Sequence, residues 1–158
     1  MIVVSDTSAI SNLLAIDQID LLKAIYGDVF ITPAVQRELY RIDSNKKLLT
    51  SCDWIKVMAP NNQVMILQLL DDLDLGEAES IALAVEQHAS YLIIDELKGR
   101  KIADHYGVRV VGILGVLIKA KLIGEILHVK PCIDALRENG FRLNDHLVVD
   151  VLKRLGEI

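Results

Sequence analysis

Five short apolar runs recur along the chain, MIVVS (residues 1–5), DVFIT (28–32), WIKVMAP (54–60), YLIID (91–95) and VRVVG (108–112), with helical periodicity between them. That alternation constrains the fold more than any other feature. Strands whose apolar residues do not alternate with polar ones are buried on both faces. Strands each followed by a helix join through right-handed crossovers into a parallel sheet. The expected architecture is α/β, a three-layer α/β/α sandwich around a central, mostly parallel sheet of about five strands.

The punctuation agrees with this reading. SAISNLLAIDQIDLLKAIYG reads as two short helices, the second closed by Gly27, and Pro33 stands at the first helical position after Thr32. NQVMILQLLDDL and GEAESIALAVEQHA supply two more helices, and ELKGRKIADHYG another with Gly107 past its end. KPCIDALRENG and NDHLVVDVLKRLG form an expected C-terminal helical hairpin at about 128–156. No linker or repeat interrupts the pattern, so residues 1–158 are read as one domain long enough to bury a core.

Composition excludes several functions. Aromatic residues make up 4% of a chain that is 52% apolar, so aliphatic packing fills the core and a base-stacking platform is not expected. A net charge of −5 and a pI near 5.3 argue against a broad basic face, so any nucleic-acid contact must be local. The sequence has neither a basic leader nor a long uninterrupted apolar segment, which implies a cytoplasmic protein without membrane attachment. Cys52 and Cys132 lack metal-ligand spacing and read as packed thiols, the four histidines are dispersed, and no Cys–His or Ser–His nucleophile pair stands out. The glycines of GILGVL read as close-packing positions rather than a phosphate loop.

The acidic residues carry more information. In VSDTSAI (residues 4–10) a buried-looking strand ends on Asp6, which either caps the next helix or belongs to a site. Ligands in parallel sheets bind beyond the carboxyl ends of the strands, where strand order reverses, and both Asp6 and Asp95 fall at such ends. On the helix from Pro33, Val35, Leu39 and Ile42 mark an inward stripe with Glu38 at its edge. Glu77 is in phase with Ile81, Ala84, Val85 and His88, whereas Glu79 falls on the opposite side near Glu86. Carboxylates converging at low exposure call for a cation, and hard oxygen donors suit Mg²⁺ or Mn²⁺ and metal-assisted phosphodiester hydrolysis.

The stretches VSDTSAISNLL, TPAVQREL, LGEAESIALA and YLIIDELKGRKIA resemble the successive motifs of PIN-domain ribonucleases, especially the small prokaryotic VapC-like group. The resemblance implies a Mg²⁺- or Mn²⁺-dependent endoribonuclease. Its acids fall on Asp6, Glu38, Glu77 and Asp95, with Thr7 or Ser8 as the small hydroxyl residue supporting the first. The third family acid is commonly Asp, whereas this chain has Glu77 with Glu79 as a rival, and Glu96 leaves the last position open by one residue. Many small members are toxins held by an antitoxin, so the resemblance also admits an antitoxin partner and a homodimer.

KGRK (98–101) places Lys98, Arg100 and Lys101 early in a helix, where the macrodipole disfavours cations. With Arg37 beside Glu38, they either meet RNA phosphates or pair with acids such as Glu96. Two other functions compete with RNA cleavage: a catalytically inactive interaction module, and phosphoryl transfer through an aspartyl nucleophile. Asp6-Thr7-Ser8 lacks the second Asp that a D-x-D phosphatase pattern requires.

Overall fold

The computed structural model describes residues 1–158. In chain order the elements are β1 (Val3–Ser5), α1 (Thr7–Ala15), α2 (Asp20–Tyr26), β2 (Val29–Ile31), α3 (Pro33–Tyr40), α4 (Asp43–Thr50), β3 (Ile55–Val57) and α5 (Gln63–Leu69). There follow α6 (Leu75–Glu86), β4 (Tyr91–Ile93), α7 (Leu97–His105), β5 (Val110–Val111), α8 (Ile113–Leu122), α9 (Lys130–Glu138) and α10 (Asp145–Arg154). Every strand pair is parallel, in the order β3-β2-β1-β4-β5. The three-layer α/β/α expectation therefore holds.

The chain builds outward from β1 to β2 and β3, then returns to β1's other side for β4 and β5. Strand order thus reverses between β1 and β4, where Ser5 is in register with Ile93 and the Asp6 N–H donates to Ile93 O at 3.0 Å. Side chains alternate across β1: Val3 joins an apolar cluster with residues of α1–α4 and α8–α10, whereas Val4 joins one with residues of α5–α7. No helix is long and apolar enough to cross a membrane.

Three local readings need correction. The polar segment DSNKKLLT forms α4, a helix with only Leu49 buried, which periodicity did not single out. Helix α3 stops at Tyr40, so Ile42 leaves the expected inward stripe; it takes up extended backbone (φ −104°, ψ 115°) and is 53% exposed. Helix α6 begins at Leu75 under an Asp74 cap, and its buried residues run from Ser80 to Ala84 without a gap. A helix sunk that deeply has no single inward stripe, and His88 lies beyond its end with φ 50°.

The C-terminal helices are closed by the tail. Helix α9 has no side-chain cap from its own N-cap residue, Val129. Glu157 supplies one: its Oε2 accepts from Val129 N at 2.9 Å and from Lys121 Nζ at 2.7 Å, and its Oε1 accepts from Lys130 N at 2.8 Å. Burial would raise the Glu157 carboxyl, but the Lys121 hydrogen bond and the two backbone N–H groups prevail and hold it down to about 2. A carboxyl depressed on folding stabilises the protein above its unfolded value of 4.5 and loses that contribution as pH falls toward 2. Glu157→Gln should therefore cost about 1–3 kcal/mol in urea unfolding at pH 7, and that difference should shrink between pH 4.5 and 2.

Candidate functional site

In a parallel α/β sheet every helix that follows a strand starts at the sheet's carboxyl edge, so helix N-termini and their capping acids collect there. Asp6 caps α1, its Oδ1 accepting from Ala9 N at 3.0 Å, and is itself only 3% exposed. On α3, Glu38 is oriented by Thr7, whose hydroxyl donates to Oε2 at 2.6 Å. Asp74 and Glu77 form a capping box: Asp74 Oδ1 accepts from Glu77 N at 2.8 Å and Glu77 Oε1 from Asp74 N at 3.2 Å. Gly76 gives Glu38 its room, because a Cβ there would stand 2.7 Å from Glu38 Oε1.

Together Asp6, Thr7, Ser8, Glu38, Asp74, Glu77 and Glu96 line a cleft of about 270 Å³ with no apolar side chain and no cation in its wall. Three of the four acids chosen from the sequence, Asp6, Glu38 and Glu77, therefore share one cleft. Asp95 does not line it: both its oxygens accept from Ile113 N at 3.1 Å, and it borders a neighbouring, largely apolar cavity of about 450 Å³. Gly112 allows this, since a Cβ there would lie 2.6 Å from Asp95 Oδ1 and 2.7 Å from Arg100 Nη1. Glu96 reaches the cleft but caps α7 with both oxygens, to Lys98 N at 3.0 Å and Gly99 N at 2.6 Å.

Glu79 turns elsewhere. Its Oε1 accepts from Ala34 N at 3.0 Å, tying α6 to the start of α3. It is half-buried rather than solvent-facing beside Glu86, which instead holds Asn61 N and Asn62 N. Asp74 is the acid that sequence reading missed. The pattern Asp74-x-x-Glu77 is a helix-start motif, and its recognition would have moved the start of α6 back and brought Asp74 to the same edge.

The carboxylates pay for their assembly in proton affinity. Burial pushes Asp6 up to about 7; the Ala9 N–H opposes this and the charges of Asp95, Glu77 and Asp74 add to it. Burial also pushes Glu77 up to about 7, against the Asp74 backbone hydrogen bond and with help from the Asp74 and Glu96 charges. Asp95 is raised by burial as well, partly offset by Ile113 N–H and by the Arg100 guanidinium.

The donor set fits a hard divalent cation. Asp6, Glu38, Asp74 and Glu77 each use one carboxylate oxygen in a local hydrogen bond and leave the other without one. No buried side-chain oxygen lacks a partner, so the remaining Asp6 oxygen opens to the cleft. These are oxygen-only donors of the kind Mg²⁺ and Mn²⁺ prefer. As the side chains stand, no three acids are drawn close enough together to ligate a common ion.

The candidate phosphate-binding cations are dispersed. Lys98 pairs with Asp72 at 3.3 Å, Arg100 lies beside Asp95, and Lys101 borders a different cavity with His105 and Tyr106. Arg37 is exposed on α3.

A family model described as a PIN domain matches residues 2–157. Among solved structures, the chain is similar to a PilT N-terminus domain protein from the hyperthermophilic archaeon Sulfolobus solfataricus P2. The identity is 21% and the TM-score 0.53, over 76% of this chain and 93% of that one. At that identity the likeness shows the fold alone. No curated protein matches the chain.

A carboxyl whose value rises on folding keeps its proton longer in the native state, so stability falls as pH climbs from the unfolded value toward the folded one. For Asp6 and Glu77 that window runs from about 4 to about 7. Without divalent ions, the thermal midpoint should fall between pH 5 and pH 8. Asp6→Asn, which keeps a capping oxygen but cannot ionise, should flatten that fall and be at least as stable as the parent at pH 8. Asp6→Ala should lose about 1 kcal/mol of cap energy relative to Asp6→Asn. A scanning-calorimetry series across pH on all three proteins checks both signs.

Proposed function

The chain belongs to the PIN-domain family, and from that premise we propose that it is a Mg²⁺- or Mn²⁺-dependent endoribonuclease hydrolysing RNA phosphodiester bonds. One observation carries the proposal: four acids in a cation-free cleft each keep an oxygen without a hydrogen bond, at the point where strand order reverses. Asp6, Glu38 and Glu77 would hold the ion, with Asp74 beside them. A divalent ion so placed supplies Lewis-acid activation of the attacking water and neutralises charge on the phosphate.

The protein's own groups do the positioning. The Ala9 N–H fixes the plane of the Asp6 carboxylate, and Thr7 fixes that of Glu38. The capping box holds Glu77 against the start of α6. Ser8 contributes a second hydroxyl to the cleft wall. Asp95, although directed to Ile113 N, adds negative charge that Asp6 feels, so it acts on the site through the field. The resemblance to small prokaryotic toxins extends the proposal to a cytoplasmic toxin with an antitoxin partner and a homodimeric state; co-purification with the product of a neighbouring reading frame tests the partner.

A second reading, a PIN-like interaction module without catalysis, is favoured by the same local hydrogen bonds, since each acid already serves as a cap or hydroxyl acceptor. Substitutions separate the two. Mn²⁺ at millimolar concentration should raise the thermal midpoint of the parent, because an ion bound only by the native state stabilises it by mass action. Asp6→Asn and Glu77→Gln should reduce Mn²⁺-dependent cleavage of an RNA oligonucleotide to background. Glu79→Gln should retain most of it, because a Gln oxygen can still accept from Ala34 N. A parent that neither cleaves RNA nor binds Mn²⁺ by calorimetry would leave only the module.

A further inference from the structure

An RNA strand approaching this cleft meets a chain of net charge −5 whose local wall carries five acids and no cation. At physiological ionic strength charges are screened over about 8 Å, so distant cations cannot offset that repulsion. The cations that do so must lie near the cleft and must not be neutralised by acids of the protein.

Of the seventeen Lys and Arg residues, six form salt bridges: Lys56, Lys98, Lys121, Lys130, Arg137 and Arg154. Those without an acid partner are unevenly spread. Arg37, Arg41, Lys46 and Lys47 fall within one short stretch on α3 and α4, and all four are exposed. The acids of that stretch are Glu38, which belongs to the cleft, and Asp43, which opens α4.

Helical phase puts two of these cations on one flank of Glu38. At about 100° per residue, Arg37 and Arg41 lie about 100° and 60° to one side of Glu38, and Val35 and Leu39 lie by the same amounts to the other. The second pair is buried, at 0% and 1% exposure, so Glu38 stands on the boundary between core and cationic flank. Arg41 follows the last helical residue but keeps helical backbone (φ −63°, ψ −23°), so the phase carries through to it. Lys46 is brought to the end of α3 by its ammonium, 5.6 Å from the centre of the Tyr40 ring. Like charges four residues apart on a helix repel, and neither Arg37 nor Arg41 forms a salt bridge within the protein.

We propose that the α3–α4 surface carrying Arg37, Arg41, Lys46 and Lys47 is the track for the phosphate backbone of single-stranded RNA entering the cleft past Glu38. The α7 cations Lys98 and Arg100 are engaged by Asp72 and Asp95 and do not serve it. This inference rests on the nuclease reading for what happens in the cleft, but the surface can be assayed by binding alone.

The experiment uses the intact chain and a fluorescent single-stranded RNA oligonucleotide in EDTA, with affinity measured by anisotropy across a salt series. Removing one cation that neutralises a phosphate should reduce the slope of log affinity against log salt by about 0.7. Arg37→Gln/Arg41→Gln should therefore lower the slope by about 1.4 and weaken binding about 25-fold at 0.1 M salt. Lys46→Gln/Lys47→Gln should act in the same direction. Arg142→Gln/Lys153→Gln removes the same charge from two exposed cations without acid partners near and on α10, and should leave the slope unchanged. Equal effects from all three pairs would mean that net charge alone steers RNA, and would overturn the track. A parent that does not bind RNA, or binds only an anionic protein through these residues, would overturn it too. If the parent binds RNA and the variants show the expected drop in slope, but nothing is cleaved in Mn²⁺, the surface stands and the nuclease reading falls. If it cleaves and the α3 pair changes neither slope nor KM, the nuclease reading stands and the surface falls.

Discussion

A carboxylate that is 3% exposed at the end of the central strand of a parallel sheet raises its own proton affinity and that of its neighbours unless something positive answers it. Asp6 is that group, and the cleft is organised around it. It cannot move away, because its N–H is bound to Ile93 O across the β1–β4 junction and its side chain starts α1. The single backbone N–H it receives does not balance the burial, and the strongest remaining remedy is a cation. Glu38, Asp74 and Glu77 line the same small cleft with one oxygen each free of a hydrogen bond, so the electrostatic strain at Asp6 is shared by its neighbours.

That strain is tolerable because of where helices begin. Helices α1, α6 and α7 turn acidic N-caps toward the carboxyl edge of the sheet, and Asp95 serves the first N–H of α8 in place of its glycine N-cap. Positive helix ends and unpaired N–H groups make this edge the least costly place for carboxylates. The same fact explains why capping and ligation are difficult to tell apart from residue type: both need a short acid at a strand-to-helix turn. The acids of this edge differ in how many oxygens their local hydrogen bonds use. Asp6, Glu38, Asp74 and Glu77 have one to spare, whereas Asp95 and Glu96 have both engaged.

Charge is also divided around Glu38. One flank of α3 packs Val35 and Leu39 into the core, the other presents arginines, and the glutamate between them faces an acidic, cation-free cleft. An acidic protein can in this way present a local basic approach to an acidic centre without a broadly basic surface. Gly76 and Glu79 maintain the arrangement from α6, one by leaving space for the Glu38 carboxylate and the other by holding the α3 N-terminus.

The sequence by itself determined the layered α/β architecture, the five strands, and the placement of Asp6 at a strand end. Those properties follow from local periodicity and from turn residues such as Gly27, Pro33 and Gly107, which act within a few positions of themselves. The same local phase put Glu38 at the edge of α3's buried face, and Glu77 reached the cleft through the start of α6. Tertiary structure decided which oxygen of which acid meets which N–H. Asp74 entered the cleft, Asp95 turned to Ile113, Glu79 crossed to Ala34, and Ile42 left the core when α3 ended at Tyr40. The turns of Asp95 and Glu79 have no periodic signal, because each depends on a partner brought close by the crossover connections, and a hydrogen bond formed between elements far apart in sequence leaves no mark on the spacing of either; Asp74, by contrast, is written locally in its helix-start pattern with Glu77.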